Sequence, residues 1–359
     1  MIPINKPFLP PKQSYFEKID NIWENYYLTN QGPLVLELEE KLKQRFSVNH
    51  LAVVSNGTMA LQVSMKAMEL VGEVITTPFS FIATTSSIVW EGCTPIFVDI
   101  EKTTLNIDAS KIEEKITSNT CAILATHVYG NPCDFEEIEI IAKKYNLKII
   151  YDAAHAFDVK YKGQSVFKYG DITGCSLHAS KLYHCIEGGF VACSDEVLAT
   201  KIRKSRNFGF ETTESFNCLG VNAKNSEFHA AMGLCNYPYI EEIIDRRKLI
   251  SDAYDFCIEK LNITKPVWNK NATKNYAYYP IIVESEQVLN ALVAFLNQKG
   301  VATRRYFYPS LANSLPYIEP EFLEVTDDVS KRVLCLPLYY DLSDFEIKTV
   351  VESIELFFK

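Results

Sequence analysis

The stretch CAILATHVYGNPCDFEEIEIIAKKYNLKIIYDAAHA, residues 121–156, decides the fold of this chain. An apolar run that begins at Cys121 is followed by an amphipathic segment after Asp134, a residue type that caps helix N-termini. A second apolar run, KIIY, then ends at Asp152. Short apolar strands joined by an amphipathic helix are typical of parallel strands in a sheet that helices cover on both faces.

The same alternation continues on both sides of this stretch. The sequence predicts strands in HLAVVSN, EVITTPF and TPIFVDI, and helices in GTMALQVSMKAMEL, IATTSSIVWEG and DASKIEEKIT, the last capped by Asp108. After about residue 235 the pattern changes to one long helix, then strands in YAYYPIIVES and VATRRYFYP, each followed by a helical segment. We therefore predict an α/β fold with a mostly parallel sheet in a large domain, residues 1–240, and a smaller α+β domain, residues 241–359.

Composition limits the classes of protein to which the chain can belong. Its 359 residues carry a net charge of −9, which disfavours a nucleic-acid or anionic membrane partner. The ten cysteines form no C-x-x-C pair and lie mostly in apolar runs, as expected of free thiols in a reducing compartment. His127 and Cys133 are metal-ligand types without further ligands at useful spacing, so no metal site is expected. Without a signal pattern or a membrane-length apolar run, we expect a soluble, cytoplasmic protein.

Polar residues follow the predicted strands, at the edge where open α/β sheets bind ligands. Gly57 and Thr58 open a helix, a turn that suits a phosphate, although an ordinary capped turn has the same sequence. Asp152 is either an N-cap or ion-pair residue, or a carboxylate that keeps a ring nitrogen protonated. Lys181 lies in SLHASKLYHCIEGG, residues 176–189, a short turn of small residues in which a lysine can act as a nucleophile.

A phosphate turn, an acid and a lysine in this order, with the aromatic residue Phe81 beyond another strand, form the set that pyridoxal phosphate needs. The lysine binds the cofactor's aldehyde, and the acid keeps the pyridine nitrogen protonated so that the ring acts as an electron sink. The aromatic residue stacks on the ring, and the turn binds the phosphate. The sequence therefore predicts a pyridoxal 5'-phosphate enzyme.

With these residues in view, the chain resembles the DegT/StrS-type sugar aminotransferases, which have the type I aspartate aminotransferase fold. The resemblance covers nearly the whole chain, through YLTNQGPLVLELEE, SNGTMAL, TTPFSFIAT, HVYGNPCDFEEI, IIYDAAHAF, SLHASKLYHCIEGG, GVNAKNSEFHAAMG and RRYFYP. It implies the type I pyridoxal phosphate-dependent transferase fold and a homodimer with shared active sites.

The resemblance also assigns a role to individual positions of this chain. The matched positions are the lysine that bonds to the cofactor (Lys181), the acid that pairs with the pyridine nitrogen (Asp152), the contact to the ring's phenolic oxygen (His155), the phosphate ligands (Gly57, Thr58, Ser176), the stacking aromatic residue (Phe81) and an asparagine that reaches the phosphate from the partner subunit (Asn222). The family usually has Phe where this chain has Leu177, and Arg-Met where it has Lys224 and Asn225.

Four further residues each have two interpretations. His178 and His184 either line the site or are hydrogen-bonded within the structure, and we favour the second for His184. Arg304 and Arg305, which precede YFYP, either contact a nucleotide pyrophosphate or stabilise a surface strand.

The implied function is transfer of the amino group of L-glutamate to a nucleotide-linked keto-deoxy sugar by a ping-pong mechanism. The EGG that follows Lys181 favours amination at C4, with a dTDP-4-keto-6-deoxyhexose as substrate and a deoxyamino sugar for a cell-surface polysaccharide, such as a lipopolysaccharide O-antigen, as product. The alternatives are a 3-keto nucleotide-sugar aminotransferase, a cofactor-dependent sugar dehydratase and a cofactor-binding regulator without turnover. Lys181 argues against the dehydratase, whose relatives have histidine there, and a regulator needs a binding extension for which the chain has no spare length.

Overall fold

The computed structural model describes all 359 residues of the chain. Its α-helices are α1 Lys12–Asn25, α2 Pro33–Phe46, α3 Gly57–Ala67, α4 Ile82–Trp90, α5 Phe135–Tyr145, α6 Glu196–Ser205, α7 Glu227–Asn236, α8 Ile240–Ile258, α9 Glu286–Gln298, α10 Leu311–Ser314, α11 Glu324–Arg332 and α12 Asp344–Phe358. Its strands are β1 His50–Val54, β2 Glu73–Thr76, β3 Thr94–Phe97, β4 Thr120–Thr126, β5 Lys148–Asp152, β6 Lys160–Tyr161, β7 Gln164–Ser165, β8 Ile172–Ser176, β9 Gly189–Cys193, β10 Phe210–Thr212, β11 Ser215–Phe216, β12 Pro280–Ile282 and β13 Val333–Cys335.

A seven-stranded sheet in the order β1-β9-β8-β5-β4-β2-β3 forms the centre of the molecule. The strands β8, β5, β4, β2 and β3 are parallel to their neighbours, whereas β9 is antiparallel to both β8 and β1. The prediction of an α/β fold with a mostly parallel sheet is therefore confirmed. The strand β9 was not predicted from the sequence; it follows β8 after a connection that contains no helix, and the two strands pair antiparallel.

The stretch that decided the fold forms β4, α5 and β5 as predicted. The middle of β4 is buried on both faces, which explains its unbroken apolar run. Asp134 caps α5 by accepting a hydrogen bond from the N–H of Glu137 at 3.1 Å. Because β4 and β5 pair in parallel, the ends of both strands, Thr126 and Asp152, lie side by side.

Two sequence predictions of local structure were wrong. The segment DASKIEEKIT forms two short 3₁₀ turns, Ala109–Lys111 and Glu113–Lys115, and not an α-helix, although Asp108 accepts the N–H of Ser110 as a cap. Within it, the N–H groups of Ile112 and Ile116 donate to the carbonyl oxygens of Ala109 and Glu113, three residues back, which is the 3₁₀ pattern. The segment VATRRYFYP is not a strand either, because its only central pairing is a single bridge between Arg304 and Cys335.

The apolar interior is divided between two main cores. The larger one contains 43 buried residues, which extend from Ile22 to Ile243. The second contains 19 buried residues, namely Ile2 and residues between Ile250 and Ile354. Since α8 contributes its first turn to the larger core and its later turns to the second, this helix joins the two. The division into residues 1–240 and 241–359 stays a prediction that this arrangement supports.

None of the helices combines the length and the apolar character that a membrane crossing requires. All ten cysteines are free thiols.

Candidate active site

A cavity of about 550 Å³ lies where the carboxyl ends of the parallel strands face Tyr278, Arg304 and Tyr306. Most of the predicted site residues line it: Gly57, Thr58, Phe81, Asp152, His155, Ser176, His178, Lys181 and Arg304. Asn222 and Arg305 do not line it. The sheet therefore brings together residues from four separate segments, as expected for side chains at the ends of parallel strands.

The first wall of the cavity is the N-terminus of α3. Asn56 is the N-cap, and its side-chain oxygen accepts the N–H of Met59 at 2.8 Å. The first N–H groups of a helix lack intrahelical partners, so those of Gly57 and Thr58 can bind an anion. A Cβ on Gly57 would lie 2.8 Å from the Cβ of Ser176, so only glycine lets this turn meet the end of β8. The capped turn therefore also leaves free N–H groups at the wall of the cavity.

Asp152, at the end of β5, is a buried carboxylate whose partners within the chain are neutral. It accepts hydrogen bonds from Thr84 Oγ1 at 2.7 Å and from the N–H of Ala154 at 3.0 Å. It forms neither an ion pair nor a helix N-cap, so both structural interpretations of this residue are wrong. A buried carboxylate whose partners are all neutral donors can pair with a further cationic group in the cavity.

Thr84 belongs to a chain of buried hydroxyl groups that the sequence analysis missed. Ser80 Oγ lies 2.8 Å from Thr84 Oγ1 and 2.9 Å from Thr126 Oγ1, so the hydroxyls connect α4 with the end of β4. This network fixes the direction from which Thr84 donates to Asp152. The sequence contained only a weak signal for it, the run of small hydroxyl residues in SFIATT.

Lys181 lies in the connection between β8 and β9, whose bases are held together by the pairing of Ser176 with Gly189. Its Nζ is 3.4 Å from the hydroxyl oxygen of Tyr278, and it has no carboxylate ion-pair partner. Burial lowers the pKa of the Lys181 amine below its ordinary value, while the negative charge of Asp152 opposes that shift. A lowered pKa increases the neutral fraction, which is the form that acts as nucleophile or base.

His155 follows β5 and is a buried, neutral imidazole. Its Nδ1 accepts the N–H of Tyr129 at 3.2 Å, so the neutral ring carries its proton on Nε2. Burial, followed by the positive charge of Lys181, holds the pKa of His155 well below its ordinary value. The ring can therefore donate one hydrogen bond to an oxygen in the cavity.

Three other predicted residues have more exposed positions. Phe81 precedes α4 at the edge of the cavity and is 52% exposed. The exposed His178 lies at the rim, where its Nδ1 is 2.8 Å from Ser180 Oγ. Asn222 lies on an exposed loop outside the cavity of its own chain, and its side-chain oxygen accepts a hydrogen bond from Lys224 at 2.7 Å.

The structure separates the two adjacent arginines. The guanidinium of Arg304 lines the cavity and lies 4.8 Å from the ring centroid of Tyr306. The Arg305 side chain instead binds Glu286 and the carbonyl of Ser330, both at 3.2 Å, and lies outside the cavity. Only Arg304 is therefore placed to meet a ligand.

Two further histidines, His184 and His127, are bound within the structure. His184 is buried, and its Nε2 is 2.7 Å from the carbonyl oxygen of Phe8, which agrees with the interpretation that we favoured. His127 is buried against Tyr151, and its Nδ1 accepts the N–H of Cys133 at 3.2 Å. No group of three or more potential ligands is arranged to hold a metal ion.

The side of the cavity opposite the sheet is formed by Tyr278, Arg304, Tyr306 and Phe307. Arg304 was predicted from the sequence as a possible ligand contact, whereas the three aromatic residues were not predicted to line the site. Tyr278 lies 97 positions from Lys181, in a segment that its apolar composition identified only as a strand. No local pattern connects two residues that meet across a domain boundary.

Comparison with known proteins gives consistent results. The model of the DegT/DnrJ/EryC1/StrS aminotransferase family matches residues 12–355. The dTDP-4-amino-4,6-dideoxy-D-glucose transaminase of Escherichia coli is 39% identical over an alignment of 355 residues, and the match covers 96% of this chain and 95% of that protein. The structure of DesI in the presence of its TDP-sugar product has a TM-score of 0.94 and 31% identity, and the match covers 99% of this chain and 92% of DesI. The structure of NtdA from Bacillus subtilis with bound cofactor PMP has a TM-score of 0.88 and 28% identity, with 96% of this chain and 81% of NtdA covered.

Proposed function

The chain belongs to the DegT/DnrJ/EryC1/StrS aminotransferase family, and from this membership we propose that it transfers the amino group of L-glutamate to C4 of a dTDP-linked 4-keto-6-deoxyhexose. The observation that carries the proposal is the cavity, in which a lowered-pKa lysine, a buried carboxylate and an unpaired arginine face one another. The E. coli relative, named for a dTDP-4-amino-4,6-dideoxy-D-glucose, supports the choice of sugar.

Aminotransferases of this family depend on pyridoxal phosphate, and the residues of the cavity fit that group. When bound, the cofactor supplies an electron sink for the carbon that loses a proton. We assign the phosphate to the α3 turn and Ser176, the protonated ring nitrogen to Asp152, and the phenolic oxygen to the Nε2–H of His155. Phe81 covers one face of the ring. The Gly57 position supports the phosphate assignment, since a Cβ there would fill the gap next to Ser176.

Lys181 performs the proton transfers of both half-reactions in this proposal. Its neutral amine would remove the proton from Cα of glutamate and hold it as an ammonium, while the cofactor, when bound, would supply the electron sink. In the second half-reaction, the same group would deliver a proton to C4 of the sugar. Because glutamate and the keto-sugar use the same cavity and the same lysine in turn, 2-oxoglutarate leaves before the keto-sugar enters, which gives ping-pong kinetics.

Arg304 supports a nucleotide-linked substrate. It is the only one of the eight arginines whose guanidinium has no hydrogen bond or ion pair within the chain. In a protein with a net charge of −9, an unpaired guanidinium at a cavity mouth is a local binding site for an anion. We assign it to the pyrophosphate and place His178 at the rim, next to the sugar. Arg305 has no such role, since its partners lie within the chain.

A panel of nucleotide-linked keto-sugars tests the proposed reaction. The protein is incubated with L-glutamate and, separately, with dTDP-, UDP- and GDP-linked 4-keto-6-deoxy sugars and with a dTDP-linked 3-keto sugar, and products are identified by mass spectrometry. We expect an aminated dTDP sugar, formed with an equal amount of 2-oxoglutarate. Preferential amination of the 3-keto sugar supports the alternative regiochemistry, whereas loss of water from the sugar without amination contradicts the proposal.

We further propose a cytoplasmic homodimer in which Asn222 enters the cavity of the partner subunit. Asn222 lies outside its own cavity, and exposed apolar side chains surround its position in the sequence: Phe208, Phe216, Leu219 and Val221. Exposed apolar patches mark interaction surfaces, and two-fold dimers are the commonest assembly. The ten free cysteines suit a reducing compartment.

Mixing two inactive variants tests the shared site. Lys181→Ala and Asn222→Ala are purified as homodimers, dissociated and mixed. A hybrid dimer then has one site with both substitutions and one with neither, and random reassortment makes about half of the dimers hybrid. We expect about a quarter of all sites to recover activity. Confirmed mixing without recovery would show that Asn222 does not act across the interface.

A further inference from the structure

The hydroxyl of Tyr278 is the only hydrogen-bond partner of the Lys181 amine within the chain, at 3.4 Å. Tyr278 comes from the segment just before β12, and its ring centroid lies 4.3 Å from that of His155. It therefore meets both the lysine and the histidine that the sheet presents to the cavity. The ionisable groups that face Lys181 from the surrounding elements are Asp152, His155, Cys175, Tyr278 and Tyr306.

The segment that carries Tyr278 is fastened to the large domain. The buried side chain of Asn275 donates hydrogen bonds to the carbonyl oxygens of His155 at 2.9 Å and Phe157 at 2.8 Å. Its own side-chain oxygen accepts the N–H of Ala277 at 3.1 Å. The position of residue 277 is thus set by the loop that follows β5.

Arg247, in α8, fastens the same segment from the other side. It is 4% exposed and donates to the carbonyl oxygens of Tyr276 at 3.2 Å and Ala277 at 3.1 Å. It has no carboxylate partner, and burial lowers its pKa to about 10. Burying an arginine without a counter-charge costs free energy of folding. The two hydrogen bonds to carbonyl oxygens therefore indicate that Arg247 serves to hold this segment.

We propose that Tyr278 is a catalytic residue that orients the Lys181 amine through its hydroxyl, and that Arg247 is the positioning residue that holds Tyr278 in place. The inference rests on the proposed role of Lys181 in proton transfer. Burial raises the pKa of the Tyr278 phenol above its ordinary value, so the phenol stays neutral. A neutral hydroxyl acceptor holds the Lys181 amine in one orientation. It stabilises the charged ammonium form less than a carboxylate would.

Tyr278→Phe tests the proposal with a matched control in the next residue. The hydroxyl of Tyr279 donates to Asp255 and does not line the cavity, so Tyr279→Phe removes a buried hydroxyl without touching Lys181. Three quantities are measured: kcat, the deuterium isotope effect on kcat with L-[2-²H]glutamate, and the rate at which cofactor-free protein captures pyridoxal phosphate, followed by visible absorbance.

For Tyr278→Phe we expect kcat and the capture rate to fall about tenfold each, the effect of losing one hydrogen bond to a reacting group. The isotope effect should rise, because proton transfer becomes more rate-limiting. A merely structural loss would reduce the fraction of active protein and leave the isotope effect unchanged. Tyr279→Phe should keep the wild-type values of all three.

Arg247→Met should reproduce the Tyr278→Phe pattern, since it removes both carbonyl contacts while it keeps an apolar side chain of similar length. If that variant does not fold, Arg247→Lys, which retains one donor, should show a smaller effect in the same direction. A wild-type isotope effect and capture rate in Tyr278→Phe would overturn the role of Tyr278, and wild-type values in the folded Arg247 variant would overturn its positioning role. Covalent capture by Lys181→Ala, measured in parallel, would instead refute the role of Lys181 itself.

Discussion

The two walls of the cavity are built differently. The sheet wall consists of Asp152, Ser176 and the α3 turn, which lie at strand or helix ends and are held by the backbone or by buried hydroxyls. The small-domain wall consists of Tyr278, Arg304 and Tyr306, which lie in segments with little regular structure.

This contrast indicates that the two walls have different functions. Side chains at the ends of parallel strands have positions that the hydrogen-bonded sheet fixes. Such fixed positions suit the groups that must hold a flat ring and a phosphate. The aromatic residues of the small-domain wall belong to or pack on a separate apolar cluster that also contains Phe79 and Tyr129, and this wall offers aromatic faces and one free guanidinium. We therefore expect substitutions in the sheet wall to affect the chemical step, and those in the small-domain wall to affect substrate binding, apart from Tyr278.

Lys181→Ala should reduce turnover more than any other substitution, because it removes the amine that, in the proposed reaction, moves the proton in the cavity between the two walls. We expect turnover to fall at least about a thousandfold, while the protein folds and still binds the cofactor phosphate. The measurement is product formation from the active keto-sugar at saturating glutamate. Lys143→Ala, on an exposed helix face, is the matched control and should be neutral. Residual activity above a few per cent of wild type would contradict the assignment.

Asp152→Asn tests whether the carboxylate in the sheet wall accelerates proton transfer or only maintains the shape of the cavity. The amide oxygen can still accept the N–H of Ala154 while the amide NH2 donates to Thr84 Oγ1, whose hydroxyl can rotate, so the fold should be preserved. Loss of the negative charge leaves the ring nitrogen unprotonated, and we expect kcat to fall about a hundredfold with the cofactor still bound. Stopped-flow measurement of the glutamate half-reaction gives the rate. A wild-type rate would mean that the carboxylate is structural.

Arg304→Gln and Arg305→Gln compare two adjacent residues on opposite sides of the small-domain wall. Losing a charge-assisted contact to a pyrophosphate should raise the KM for the nucleotide sugar about tenfold with kcat nearly unchanged. Arg305→Gln should leave that KM unchanged and lower the free energy of unfolding by about 1 kcal/mol, because its partners are Glu286 and Ser330. Equal effects of both substitutions on KM would refute the separation of the pair.

His127→Phe should leave turnover at neutral pH unchanged and should change the pH dependence of the protein's stability in acid, in addition to a pH-independent loss because the N–H of Cys133 loses its acceptor. Burial lowers the pKa of His127 to about 3. Between the ordinary pKa of histidine and that value, the unfolded chain binds a proton that the folded protein does not. His127 therefore makes stability fall with decreasing pH, by about 1.4 kcal/mol per pH unit in that window. Urea unfolding of wild type and variant between pH 7 and pH 4 should show a shallower dependence in the variant, and parallel curves would contradict this.

Much of the sheet wall could be predicted because its signals are local. Asp134 as a helix cap, the apolar run of β4 and the acid after β5 each depend on fewer than a dozen neighbouring residues. Once the strands were assigned as parallel, their polar ends had to meet at one edge. The errors of local structure came from the same source, since DASKIEEKIT has the cap and apolar spacing of a helix, and that local spacing does not distinguish an α-helix from two successive 3₁₀ turns.

The amino-acid sequence by itself determined the parallel sheet, the phosphate turn, the acid and the lysine, because caps, apolar runs and turn residues act over short distances. Only the tertiary structure decided that Thr84 supports Asp152 from 68 positions away and that Tyr278 meets Lys181 from 97 positions away. It also decided that Arg304 faces the cavity while Arg305 faces Glu286. These contacts arise where separate segments pack together, and no periodicity within a single segment encodes which partner it will meet.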